Sequence, residues 1–268
     1  MGEQWDLTWN LCDLPARYIG SLDFNEQPQP FEIQGVKVCS RQLFEQLDAV
    51  EDPDERTRLF NEHITAKFHL YELDELDHEH THSAKRSLRN TYVRYLRGWG
   101  VDSNSIEGAV LKAWVESRIG LRPTFHRRKV TANDPEGQLT FATDRMKGMA
   151  GSNAINSQLD LVYTFCQYEL SRRHPGETCF SLFRGTHDPG DYQTLEIVSP
   201  RERIVRLNNL SSFTPDSERA FEFGSTVWEV RVPAVKVFFW SQLFPRGILK
   251  GEDEFLVIGG VYRVKSVL

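Results

Sequence analysis

Apolar residues recur along this chain with two different periods, and the change from one to the other falls near Gly176. Upstream the spacing is helical. Phe60, Ile64 and Phe68 recur every four residues behind Asp52-Pro53-Asp54-Glu55, which joins an acidic N-cap, proline at the first helical position and a glutamate three residues after the cap. A second helix is predicted from Ser83 to Trp99, with Leu88, Tyr92, Tyr95, Leu96 and Trp99 on one side and Gly98 and Gly100 at its end. A third runs from Asn104 to Arg118, with Asn104 and Glu107 at capping-box spacing and Gly120 as the stop. Asn133-Asp134-Pro135-Glu136-Gly137 reads as a turn, and Ala154 to Leu170 as an apolar helix. Residues 1–40 carry aromatics without a regular period, so this arm is expected to pack on a core.

Downstream the period falls to two. Cys179 to Phe183, Arg203 to Leu207 and Thr226 to Val232 read as strands; in the last, Trp228, Val230 and Val232 alternate with Glu229 and Arg231. A short helix fits Asp216 to Phe223. Gly259-Gly260, between Phe255–Ile258 and Val261–Val267, fits a two-residue hairpin turn. The expected class is α+β: one unit spanning residues 1–268, mainly helical over 1–150 and β-rich over 151–268.

Composition narrows the partners. The 268 residues are 40% hydrophobic and 26% charged, ordinary for a chain with a sizeable core. A net charge of -6 argues against bulk binding to nucleic acid or to a membrane surface. No apolar run approaches the ~18 residues of a membrane span, no signal peptide is evident, and the four cysteines show no metal-type spacing. The expectation is a cytoplasmic protein acting on a small molecule or another protein.

Charge also inverts along the chain, from Glu72, Asp74, Glu75, Asp77 and Glu79 to Lys85, Arg86, Arg89, Arg94 and Arg97. Either these are solvated helix faces or they dock a protein. His78, His80 and His82 inside the acidic stretch would align only if it were extended, and no second cluster supports a metal there. No metal is expected. Gly148 and Gly151 precede a helix as a phosphate cradle would, but match neither a P-loop nor a Rossmann fingerprint.

Three short stretches carry the candidate chemistry. Arg184-Gly185-Thr186 follows a strand; the guanidinium fork suits a phosphate, and the glycine admits close approach, although Arg-Gly is also a common surface turn. Ser211-Ser212-Phe213-Thr214 supplies hydroxyls that either cap the next helix or hold a ligand. Glu252-Asp253-Glu254 opens an apolar strand, where alternation puts the two glutamates on one face and Asp253 on the other. Such acids either protect a sheet edge or form a catalytic pair.

In this order, arginine, hydroxyl cluster and Glu-x-Glu resemble the arginine-serine-glutamate class of mono-ADP-ribosyltransferases. The likeness extends to Ile155-Asn156-Ser157-Gln158-Leu159, similar to a helix before the first strand in toxins of this class. Over its full length the chain is similar to the branch of the class that modifies the nitrogenase iron protein. The resemblance implies a mono-ADP-ribosyltransferase fold with a split β-sandwich core, NAD as co-substrate, and transfer of ADP-ribose to a protein arginine. It implies contacts to NAD from Asn156, Arg184, Gly185, Thr186, Ser211, Ser212, Thr214 and Glu254. Of these, Arg184 holds phosphate, Ser212 braces the nicotinamide-ribose end, and Glu254 stabilises the developing ribosyl cation; Glu252 engages the acceptor guanidinium. The class usually carries Ser-Thr-Ser where this chain has Ser212-Phe213-Thr214, so Ser211 and Ser212 both remain candidates for the bracing role. Two partners are implied: the dinitrogenase reductase homodimer as substrate and a PII-type signalling protein as activator. NAD glycohydrolysis, or an inactive transferase fold that binds a regulatory partner, are the alternatives.

Overall fold

The computed structural model describes residues 9–70, 91–150, 154–187, 192–244 and 253–267. Short helices α1 (Ala16–Ile19), α2 (Leu22–Glu26), α3 (Val36–Cys39) and α4 (Arg41–Asp48) lead into α5 (Pro53–Phe68). The side chain of Asp52 caps α5 by accepting from the Asp54 N–H at 3.2 Å, and Phe60, Ile64 and Phe68 are all buried. Helix α6 (Tyr92–Val101) occupies the end of the second predicted helix, whose first residues lie outside the described ones.

Two boundaries differ from expectation. The cap of α7 (Ile106–Ile119) is Ser105, whose hydroxyl accepts from the Gly108 N–H at 3.0 Å. Asn104 and Glu107 are engaged elsewhere: the amide oxygen of Asn104 accepts from Lys112, and Glu107 pairs with Arg94 at 2.7 Å. Asp134-Pro135, read as a turn, opens a 15-residue helix, α8 (Pro135–Met149), by the same cap-then-proline chemistry as α5. Gly148 lies inside α8, and its carbonyl accepts from the Tyr95 hydroxyl at 2.7 Å; Gly151 lies outside the described residues.

Helix α9 (Ile155–Arg173) precedes the sheet. After a two-residue pair, β1 (Phe125–His126) and β2 (Arg128–Lys129), the main strands are β3 (Cys179–Thr186), β4 (Gln193–Ser199), β5 (Glu202–Phe213), β6 (Thr226–Pro233), β7 (Val237–Trp240) and β8 (Phe255–Ser266). They form an antiparallel sheet in the order β3-β6-β8-β5-β4, with β7 also on β8. Strand β5 runs along one edge of β8. The other edge is shared, β7 pairing at Phe255–Val257 and β6 at Val264–Ser266. The end of β5 also returns to β3, where Phe183 and Thr214 exchange backbone hydrogen bonds of 2.7 and 2.9 Å.

Gly259-Gly260 is not a hairpin turn. Both residues lie inside β8, where Leu207 pairs with Gly260 and Leu210 with Ile258, so Asn208 and Asn209 of β5 bulge against Gly259 alone. A Cβ on Gly259 would stand 1.8 Å from the Asn208 carbonyl oxygen, which is why glycine is required there.

The core joins the helices to the sheet. Phe60 of α5 stacks on Phe165 of α9 at 4.1 Å, and Trp114 of α7 meets Phe238 of β7 at 4.8 Å. The Gln167 amide of α9 donates to the Val237 carbonyl at 2.7 Å, seating α9 on β7. Phe244 is 5% exposed and packs against Phe60, Phe165, Phe239 and Tyr92.

Candidate active site

Strand β3 carries Arg184 within its span, two residues before its end, rather than after it. Its guanidinium reaches across to the end of β5, donating from Nη1 to the Ser212 carbonyl at 2.7 Å. Nε and Nη2 donate to the Tyr192 hydroxyl at 3.1 and 2.9 Å, and the cation lies over the Tyr192 and Phe213 rings. Gly185 has a structural cause. A Cβ there would come 2.0 Å from the Ala220 carbonyl oxygen, at the end of the short helix α10 (Ser217–Ala220). The close approach is made by the protein's own backbone.

Strand β5 continues past Leu207 to Phe213, so the serines sit in the strand and point to opposite faces. Ser212 lines the cleft, and its hydroxyl oxygen accepts from the Trp99 indole N–H at 2.9 Å. Ser211 is buried on the other face and does not line the cleft. Thr214, also in the lining, accepts from the Asp216 N–H at 3.2 Å.

Strand β8 begins at Phe255, so Asp253 and Glu254 stand just before the ladder and strand alternation does not separate them. Both line the cleft. Glu254 is held by its backbone: its carbonyl accepts from the Ser241 N–H at 2.9 Å and its N–H donates to the Ser241 hydroxyl at 3.2 Å. The Asp253 carboxylate accepts from the Gln242 amide at 2.7 Å. Glu252 lies outside the described residues, as do His78, His80, His82, Lys85, Arg86 and Arg89.

The cleft has a volume of about 390 Å³, within the range of small-molecule sites. One wall is the α6–α7 corner, with Trp99, Asp102 and Ser103; Arg219 and Phe223 face it from the α10 segment. Arg184, Gly185, Ser212, Thr214 and Glu254 therefore share one cleft. Asn156, half-buried in the first turn of α9, and Thr186, buried at the end of β3, are not in its lining.

Residues 9–266 match the family described as dinitrogenase reductase ADP-ribosyltransferase. The chain belongs to this family. It is 41% identical over 259 residues to the NAD(+)–dinitrogen-reductase ADP-D-ribosyltransferase of Rhodospirillum rubrum, an alignment covering 96% of this chain and 94% of that one. No solved structure matches it.

In this member of the dinitrogenase reductase ADP-ribosyltransferase family the cleft combines two guanidinium groups, Arg184 and Arg219, with the carboxylates of Asp102, Asp253 and Glu254. The cations suit a diphosphate and the carboxylates a developing positive charge. Behind Trp99 lies Lys112, 1% exposed, donating to the Asn104 amide oxygen at 3.1 Å and the Phe125 carbonyl at 3.0 Å, with its ammonium 5.8 Å from the Trp99 ring centre. Burial pushes this lysine down to about 7; the Arg184 charge adds to the effect and Asp102 opposes it.

Sequence reasoning missed Trp99, Tyr192 and Arg219. Trp99 reads as one more apolar position on a helix, and Tyr192 has no motif around it. Only Arg219 carried a local signal, a cation in the short helix that follows the hydroxyl cluster.

Proposed function

We propose that the cleft binds NAD and that the chain transfers its ADP-ribose to an arginine of dinitrogenase reductase, switching off nitrogen fixation. Two things support the reading: membership of the family over almost the whole chain, and the meeting of Arg184, Ser212 and Glu254 in one cleft. Arg184 and Arg219 face the diphosphate of NAD. Arg219 is the more available, since its guanidinium has no side-chain hydrogen bond or ion pair to any of the described residues.

The chemistry follows from charge. Nicotinamide leaves neutral from a cationic linkage, so no general acid need protonate it. Glu254 accepts the ribose 2'-hydroxyl hydrogen bond and stabilises the positive charge that grows on the ribose as the carbon–nitrogen bond breaks. Ser212 braces the same end. A guanidinium nitrogen of the acceptor then bonds to the ribose carbon and gives up its proton to Glu252, which also orients that guanidinium; the guanidinium stays protonated at neutral pH, so the proton leaves during attack and not beforehand. The products are ADP-ribosyl-arginine and nicotinamide.

In this reading the sheet is the split β-sandwich of the mono-ADP-ribosyltransferase fold. Residues 151–268 form the NAD-binding core, residues 1–150 the helical part, and the two make one unit. The acceptor is the dinitrogenase reductase homodimer, a PII-type protein is the activator, and the setting is the cytoplasm.

The test incubates the protein with labelled NAD and dinitrogenase reductase. Label appears on the acceptor, and Glu254→Gln reduces the rate by roughly 10²–10³, the scale for losing a group that stabilises transition-state charge. Transfer by Glu254→Gln at the wild-type rate would remove that residue from the mechanism. Release of nicotinamide without labelled acceptor would make the activity glycohydrolysis.

A further inference from the structure

Ser212 is fixed at two atoms from two sides. Its carbonyl accepts from Arg184 of β3, and its hydroxyl oxygen accepts from Trp99 of α6. The first bond is within the sheet. The second comes from the helical part, more than a hundred residues earlier in the chain.

An indole N–H can only donate, whereas a serine hydroxyl has one hydrogen and two acceptor lone pairs. At 2.9 Å, Trp99 therefore takes one lone pair of Ser212, and the hydroxyl hydrogen must turn to a different acceptor. Glu254 and Asp253 belong to the same cleft lining as Ser212.

The indole is well held. Trp99 is 4% exposed, with Lys112 over its ring, and α6 is tied to α7 by the Arg94–Glu107 pair. A buried donor in a low-dielectric wall keeps its direction better than a mobile surface group.

We propose that Trp99 is a positioning residue of the transfer reaction: its indole N–H sets the rotamer and proton direction of the Ser212 hydroxyl. Trp99 touches neither the breaking nor the forming bond and acts through Ser212. The inference rests on the NAD-transfer reading, and its test separates the two.

Transfer of label from NAD to dinitrogenase reductase is measured for the wild type, Trp99→Phe, Ser212→Ala and the double variant, with the wild type as the control for the reading itself. Trp99→Phe lowers kcat about tenfold, the rate equivalent of one ordinary hydrogen bond, and leaves KM for NAD within about twofold. In the Ser212→Ala background the same change adds nothing, because a residue acting through Ser212 has no further effect once that hydroxyl is gone. A second replacement guards against misfolding: the benzothiophene analogue of tryptophan at position 99 nearly keeps the ring shape and has sulfur, which cannot donate, in place of the N–H. It reproduces the kcat loss with an unchanged unfolding midpoint.

Wild-type kcat in the analogue, losses that multiply in the double variant, or an effect confined to KM would each overturn the role of Trp99. If the wild-type protein carries no label from NAD to the acceptor, the NAD-transfer reading falls. If only the Trp99 variants behave like wild type, that reading stands and this inference falls.

Discussion

At the scale of single residues, the cleft is built by groups that hold one another before any ligand arrives. Arg184 commits three of its five N–H donors to the Ser212 carbonyl and the Tyr192 hydroxyl, so it organises the site as well as charging it. Two adjacent serines are told apart by strand phase alone: Ser212 faces the cleft and Ser211 the interior. Lys112 sits just behind this layer, and its displaced titration makes a measurable claim. The folded chain releases the Lys112 proton near 7, whereas the unfolded chain holds it to about 10.5. Between those values the unfolded state binds more protons, so stability contributed at this position rises with pH and is smallest below about 7. Denaturant unfolding of the wild type and of Lys112→Met at about pH 6 and about pH 9 checks it. The wild type gains relative to the variant on going to the higher pH, by at most about 1.4 kcal/mol per pH unit. A constant difference would mean that Lys112 titrates normally and that its surroundings admit water.

At the scale of elements, glycines mark where backbones touch. The Cβ of Gly185→Ala would collide with the Ala220 carbonyl at the end of α10, and α10 carries Arg219 to the cleft. The expected cost is about 1–3 kcal/mol of stability together with a raised KM for NAD, measured by thermal unfolding and by transfer kinetics on one preparation. A fall in stability with KM unchanged would detach α10 from ligand binding. The same elements show what was legible in the sequence. Helix α5 and the strand Thr226–Pro233 were readable because their buried apolar residues follow a simple period, every four residues at Phe60, Ile64 and Phe68 and every two at Trp228, Val230 and Val232. Helix α8 was not: Leu139 and Met146 are exposed, so its apolar residues mark no inward stripe, and Asp134-Pro135 alone serves turns and helix starts equally. Strand β4 was missed because Leu195, Ile197 and Val198 are exposed along an edge without alternation. Gly259-Gly260 misled because a bulge and a hairpin ask for the same residues, and the choice depends on Asn208, some fifty positions away. Of the candidate site, the arginine, serine and glutamate were readable as a pattern. Trp99 and Tyr192 are joined to it only by the folded chain.

At the scale of the whole molecule, the helical and β-rich parts share their interior and their ion pairs. Glu169 of α9 is fully buried and accepts from Arg56 of α5 at 3.0 Å and from Arg173 at 2.7 Å. Arg56, 2% exposed, also donates to the Val50 and Glu51 carbonyls, so this group ties the start of α5 to the far end of the helix beneath β7. Removing only the acid, as in Glu169→Leu, leaves the Arg56 charge buried without its counter-ion and is expected to cost about 3–5 kcal/mol. Replacing both, as in Arg56→Met with Glu169→Leu, is expected to recover much of that loss, because the desolvation of two charges is relieved along with their attraction. Urea unfolding followed by tryptophan fluorescence and by far-ultraviolet circular dichroism tests both statements. Phe60 on Phe165 and Trp114 on Phe238 place aromatic contacts across the boundary, so the two signals should change together in every variant. If the double variant were no more stable than Glu169→Leu, the hydrogen bonds of Arg56 to the chain before α5 would outweigh its pairing with Glu169. If the two signals separated, residues 1–150 and 151–268 would unfold as independent units, and a cleft that needs Trp99 from one and Ser212 from the other would open before the sheet itself was lost.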